Sequence, residues 1–339
     1  MIEPFKATLL LAPLPLAIAM ALNPAQAMAG EFADLCGETI MEDTKLEGIT
    51  DTVTEYCIIQ VAGDYSLTIL DSNITLDHTL HMDGADMAML TIKESVFNSQ
   101  NGDIYINFED GKVTIKDDSE FYMMGNWYDY FNVRTDSGDI TFRDNLVEFG
   151  YQTEYHYRSF FLNTRSGKVD VLKNELVFSE AAFGASGWGE EAIINVKDNF
   201  APDCTNFRSA SFSMGYGRLN IVDNVFPHIT HSFHVGADGG DIHIVGNEMN
   251  ESWNTIGDNF DVWSDGGDVI VVGNVLNVTD DVRIKSSCAD PWCPPTGGEI
   301  KVTKNDFGSP GFTYVNSYGG MCICLLYTSP SPRDRSAYL

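Results

Sequence analysis

Positive charge is scarce in this chain. Its 339 residues hold 20 lysines and arginines against 49 aspartates and glutamates, a net charge of −29. Such a surface repels phosphate backbones and anionic lipid, so nucleic acid and acidic membranes are disfavoured as partners. Long apolar runs are missing too. The one candidate, Ala7 to Leu22, is short and holds Pro13 and Pro15, which argues against a membrane span. Cysteine is sparse, at seven residues, and no Cys-x-x-Cys pair recurs with spaced histidines, so a zinc site is not indicated. No stretch of the body shows helical periodicity, and no phosphate loop, nucleotide fingerprint or Ser-His-Asp elbow is present.

What the chain has is a repeat. The phrase Gly, charged residue, apolar, x, apolar, x, x, Asn recurs, cleanly at Gly138–Asn145, Gly217–Asn224, Gly240–Asn247 and Gly267–Asn274. The first apolar residue of each copy marks the series Leu67, Leu90, Val113, Ile140, Val169, Ile194, Leu219, Ile242, Val269 and Ile300, in steps of 23 to 31 residues. Each copy alternates apolar and polar residues, the pattern of a strand with one buried face. A second alternating strand precedes each Gly-rich turn, as in Phe260-Asp261-Val262-Trp263 before Asp265-Gly266-Gly267-Asp268. Two or three short strands per coil predict an all-β fold, a single parallel β-helix of about ten coils and a rod on the order of 45 Å long.

One polar position keeps register with the marker. Asn145, Asn174, Asn199, Asn224, Asn247, Asn274 and Asn305 hold it, with Ser72, Ser95 and Asp118 in the early coils. Stacked amides at a tight corner satisfy one another, so the column is expected to be a structural ladder. On this period and ladder, residues of about 60–323 resemble the right-handed β-helix, or pectate-lyase-like, proteins. The resemblance implies the fold and leaves the activity open, because that fold hosts lyases, hydrolases, adhesins and inert surface proteins.

The expected organisation is a signal peptide over 1–27, an N-terminal cap over 28–62, the β-helix over 63–323 and a non-native tail over 324–339. Lys6, the apolar run and Ala25-Gln26-Ala27 carry the first assignment and predict a secreted, periplasmic or cell-surface product. The tail resembles a translated sequencing adapter. In an oxidising compartment Cys36 could join Cys57, and Cys288 and Cys293 could close a small loop.

Two regions offer chemistry. Two neighbouring coils carry long aromatic insertions, with Trp127, Tyr128 and Tyr130 in one and Tyr155, His156, Tyr157 and Arg158 in the next. Flat rings stack on pyranose faces while polar groups bond hydroxyls, so these residues are candidates for binding sugar, and Trp188, Trp253 and Trp292 could extend the surface. The second region is the outer face of the strand before the Gly turn. With Phe131, Leu162, Phe212, Phe233, Phe260, Val282 and Phe312 inward, one outward column reads Asn132, Asn163, Ser213, His234, Asp261, Arg283, Thr313. The next reads Arg134, Arg165, Gly215, Gly236, Trp263, Lys285, Val315. His234, Asp261, Arg283 and Lys285 are then candidate catalytic residues beside Trp263, able to hold a general base or a uronate. A surface ion-pair ladder is the plainer account of the same column.

Arg283-Ile284-Lys285 is similar to a short motif of polygalacturonases, but the Gly-His-Gly of that family is absent, so no catalytic role is carried across. Thr68, Thr91, Thr114 and Thr141 form a further outward column, which neighbouring Lys93, Lys116 and Arg143 make too rough for ice. No cofactor is evident. Asp258, Asp261, Asp280 and Asp281 offer the oxygen ligands calcium takes, without the spacing of a calcium loop. Two functions stay open: an exported surface or matrix protein binding extracellular polysaccharide through aromatic loops, or a lyase or hydrolase of uronate glycans.

Overall fold

The computed structural model describes residues 32–125, 128–150, 157–202, 206–226, 229–249, 259–278, 280–286, 298–308, 310–317 and 321–325. The chain winds into a parallel β-solenoid of about ten turns, with no α-helix among the described residues. Every strand pairing described is parallel, each coil bonding to the coils before and after it. Three faces result. Sheet B holds twelve strands, from Thr44–Glu47 to Cys322–Leu325. Eleven steps of about 4.8 Å make it roughly 50 Å long. The ten marker residues fall in one column of this sheet, each buried.

Sheet A comprises the strands before the Gly turns, among them Cys57–Val61, Leu80–Gly84, Ile104–Phe108, Tyr128–Thr135, Tyr157–Thr164, Asn206–Met214, Ile229–Ala237, Asn259–Ser264, Asp281–Ser286 and Phe312–Ser317. Sheet C runs along the third side. The thirteen-residue strand Glu175–Gly187 crosses the corner between A and C, turning at Glu180, whose φ is +59°. Gly-rich corners join A to B because the coils approach closely there. A β-carbon on Gly138 or Gly217 would run into a backbone carbonyl of the previous coil.

The corner after each marker strand is left-handed. Asp71, Glu94, Asp144, Lys173, Asp198, Asp223 and Lys304 all have φ between +47° and +59°, and Gly246 and Gly273 take the same place. The next residue is the ladder. From Asn145 to Asn305 each Oδ1 from the second onward accepts the backbone N–H and side-chain amide of the asparagine one coil earlier. Asn199 N to Asn224 Oδ1, for example, is 3.0 Å and Asn199 Nδ2 to Asn224 Oδ1 is 2.9 Å. Each Nδ2 also donates to a main-chain carbonyl, as Asn224 does to Val196 at 2.9 Å. In the early coils hydroxyls of Ser72, Ser95 and Ser119 serve instead. Ser119, not the expected Asp118, holds the third place. This corner carries one extra residue, Asp117 and Asp118 both being left-handed, which moves the register by one.

Between the faces lies a core of aliphatic side chains and stacked phenylalanines. Phe97 and Phe121 stack at 5.3 Å, Phe131 and Phe160 at 5.1 Å, Phe233 and Phe260 at 5.2 Å. Rings in such columns contribute about 0.5–1.5 kcal/mol per pair beyond their burial. The solenoid starts upstream of residue 63, since Thr44–Glu47, Thr50–Val53 and Cys57–Val61 already pair with the next coil. The 3-10 turn Phe32–Leu35 covers the end of the core, with Phe32 edge-on to Phe97, Ala33 N–H bonded to Asp51, and Cys36 joined to Cys57. No helix among the described residues is long and apolar enough to cross a membrane.

Candidate functional site

Side chains on the outer face of sheet A are fixed by strand register. In the C-terminal coils the register is as expected: His234 opposes Asp261, Asp261 opposes Arg283, and Gly236, Trp263 and Lys285 form the next column. In the earlier coils the columns shift by two residues. Asn132 opposes Phe161 and then Gly184 and Ser211, while Asn163 belongs with Arg134, Ser186 and Ser213. Inward, Phe160, Phe183 and Ala210 stack on Phe131, and Leu162 and Phe212 belong to the neighbouring inward column. A slip of two leaves every side chain on its proper face, so alternation alone cannot reveal it. At the last strand the error is one residue. Tyr314, not Thr313, opposes Arg283, Asn316 rather than Val315 follows Lys285, and Phe312 is exposed.

The expected catalytic residues are assembled, with His234, Asp261 and Arg283 engaged and Lys285 beside them without a described acid partner. Trp263 Nε1 donates to His234 Nε2 at 3.3 Å, which places the neutral ring's proton on Nδ1. Nδ1 stands 3.6 Å from Asp261 Oδ2. Arg283 does not reach toward Asp261. Its Nη2 donates to Asp281 Oδ2 at 2.6 Å, two residues back on its own strand. Of the four aspartates with oxygen ligands for calcium, Asp258 lies outside the described residues, and among those described no group of three or more His, Cys, Asp or Glu converges.

The aromatic insertions divide. Trp127, Tyr155 and His156, like Cys288 and Cys293, lie outside the described residues. Tyr128 and Tyr157 open adjacent strands and oppose each other in register. Tyr130 is half-buried on the outer face, its N–H bonded to Asp103 at 2.8 Å. Arg158 is not a surface residue. Its side chain is 2 % exposed and lies in the interior, with Nε 3.2 Å from buried Asp129 and the guanidinium donating to the carbonyls of Gly125 and Gly150. Burial pulls its pKa down, against the opposing charge of Asp129. The register foretells this, since Asp129 and Arg158 are opposed and share the inward face of Phe131 and Phe160.

The geometry adds a groove that the sequence did not single out. A cavity of about 560 Å³ opens on sheet A between Asn132, Arg134, Thr135, Asn163, Thr164, Arg165, Ser186 and Trp188. Amides and hydroxyl form its floor, Asn163 Nδ2 donating to Asn132 at 2.8 Å and Ser186 to Asn163 Oδ1 at 2.6 Å. Trp188 is 59 % exposed. Arg134 Nη2 donates to Asp136 Oδ1 at 3.1 Å, and no described carboxylate pairs with Arg165. Many cations of sheet B sit on neighbouring acids, as Lys93 on Glu94, Arg143 on Asp144 and Lys168 on Asp170, whereas Lys112 and Lys301, like Arg165, have no described acid partner. Further toward the N-terminus, His81 stacks on Tyr105 at 4.7 Å and lies 5.3 Å from Tyr56. Burial, with the charge of Asp103, pushes the Tyr105 phenol up to about 12.

No family model, curated protein or solved structure matches the chain, so the site's chemistry rests on its own geometry.

Proposed function

We propose that this protein is an exported solenoid that binds an extended polysaccharide along sheet A, seated in the groove between Arg134, Arg165 and Trp188. The carrying observation is that groove: two guanidinium groups, one without an acid partner, beside an exposed indole and an amide floor, in a chain of net charge −29. Guanidinium forks match carboxylates or sulfates, the ring offers a stacking face, and the amides bond hydroxyls. A rod with parallel columns suits a linear ligand laid along its axis. The Cys36–Cys57 disulfide supports an oxidising, extracellular or periplasmic setting.

Geometry supports binding ahead of turnover. A uronate lyase needs a free base beside its cation; Lys285 offers the cation, but His234 Nε2 holds the Trp263 N–H. The test is retention of the full chain on polygalacturonate, alginate and neutral controls, with and without calcium, while following new unsaturated or reducing ends. The expected outcome is retention on an acidic chain without products, weakened about tenfold or more in Arg134→Ala/Arg165→Ala. Unchanged retention in that variant removes the groove from the account, and product formation replaces binding with catalysis.

A further inference from the structure

Sheet C carries a triplet with its own chemistry. Asn73-Ile74-Thr75 is an acceptor sequon for N-linked glycan, Asn-x-Thr with no proline between. It opens the strand Asn73–Leu76, directly after the ladder residue Ser72. Side chains two apart on a strand share a face, so Asn73 and Thr75 stand on the outer side while Ile74 is buried in the core. Asn73 is exposed and Thr75 half-buried. Asp71, two residues earlier and also exposed, meets the stricter acceptor form that asks for an acid there.

The amide is oriented by its neighbours. Asn98, which opposes Thr75 one coil on, donates its Nδ2 to Asn73 Oδ1 at 3.1 Å. That bond holds the oxygen and leaves Nδ2, the atom a glycan takes, with no described partner. Thr50 and Val96 flank Asn73 on the adjacent coils, and neither covers it. The chain's other asparagines differ. None of the seven ladder asparagines begins a sequon, and a glycan on one of those buried amides would break the column. Of the two further sequons, Asn250 lies outside the described residues. Asn277 is half-buried, its Oδ1 2.7 Å from where a β-carbon on Gly308 would stand.

We propose that Asn73 carries an N-linked glycan, taken from an oligosaccharide on a polyprenyl diphosphate during export and before folding. This rests on the exported part of the reading above. A bond forms between Nδ2 and the anomeric carbon of the first sugar, and the bond from that carbon to the diphosphate oxygen breaks. The lipid diphosphate leaves with the electron pair, and Nδ2 gives up one of its two protons. The folded coil accommodates the product, because the amide stands on the outer face and Nδ2 holds no described group. Sheet C is a different side of the rod from sheet A, so the groove at Arg134, Arg165 and Trp188 stays open.

The experiment expresses the full chain, with its own N-terminus, in a eukaryotic secretory line. Intact mass is taken from medium and cytosol. Glycan is then removed by an amidase in heavy-oxygen water, and the peptide holding position 73 is weighed. The expected result is secreted protein with glycan on Asn73, lost in Asn73→Gln and Thr75→Ala and kept in Thr75→Ser. Thr75→Ala leaves Asn73 in place, so it carries the test if Asn73→Gln is not secreted. Secreted protein with a bare Asn73 overturns the site and leaves the polysaccharide reading standing, and so does glycan confined to Asn250 or Asn277. Protein held in the cytosol ends both the site and the export on which it rests.

Discussion

At the residue scale, the protein is held by what its corners ask of single side chains. Asn224 shows the demand. It accepts from Asn199 twice, donates to Asn247 at 2.9 Å and to Val196 O at 2.9 Å, and is fully buried. Asn224→Ala strips partners from buried groups on two coils, and about 3 kcal/mol of stability should go with them. Asn224→Ser should cost less, because serine already serves at 72, 95 and 119. Urea unfolding monitored by circular dichroism checks both, and an alanine variant as stable as its parent would show that water replaces the amide. This column was legible in the sequence because an asparagine at fixed distance from a marker has few other reasons to recur. Ser119 was not, since a left-handed aspartate and an ordinary one look alike in a string of letters.

At the element scale, pairing between strands decides what a side chain can do. Arg158 reads as a surface cation among tyrosines until its strand is set against Tyr128–Thr135, where it faces Asp129 inside the solenoid. There it ties the carbonyls of Gly125 and Gly150 to one guanidinium. Arg158→Met should cost about 3–5 kcal/mol, because it takes the guanidinium from a buried carboxylate. Asp129→Leu/Arg158→Met should recover most of that loss in the same denaturant series. A double variant as weak as the single one would mean that the carbonyl bonds, not the ion pair, carry the effect. The His234–Asp261–Arg283 column was read correctly, because Phe233, Phe260 and Val282 mark its three strands. The groove was not, because Leu162 and Phe212 point inward as firmly as the true partners of Phe131. Nor was the seat of the Trp263 indole over Gly236, a glycine one coil away and visible only after pairing.

For the whole molecule, charge and shape pull against each other. Acids such as Asp71, Glu94, Asp117 and Asp144 occupy the corners of successive coils, about 5 Å apart along the axis, and their repulsion adds up in a rod of net charge −29. Screening should relieve it. The melting temperature should rise between about 10 mM and about 150 mM sodium chloride, over which the Debye length shortens from roughly 30 to roughly 8 Å. A fall over that range would mean that the ion pairs of sheet B outweigh the repulsion. The proposed affinity for an acidic glycan should move the opposite way, since salt would also screen Arg134 and Arg165 from such a ligand.

The unbroken asparagine column also constrains how such a chain can change over generations. A stretch running from one ladder residue to the next, such as Phe200 to Asn224, begins and ends in equivalent places. Its removal would let Asn199 meet Asn247 as it now meets Asn224, whereas loss of a few residues would put an apolar side chain where an amide belongs. Length is therefore quantised: descendants gain or lose whole turns, and each turn added lengthens the outer face of sheet A by one strand spacing.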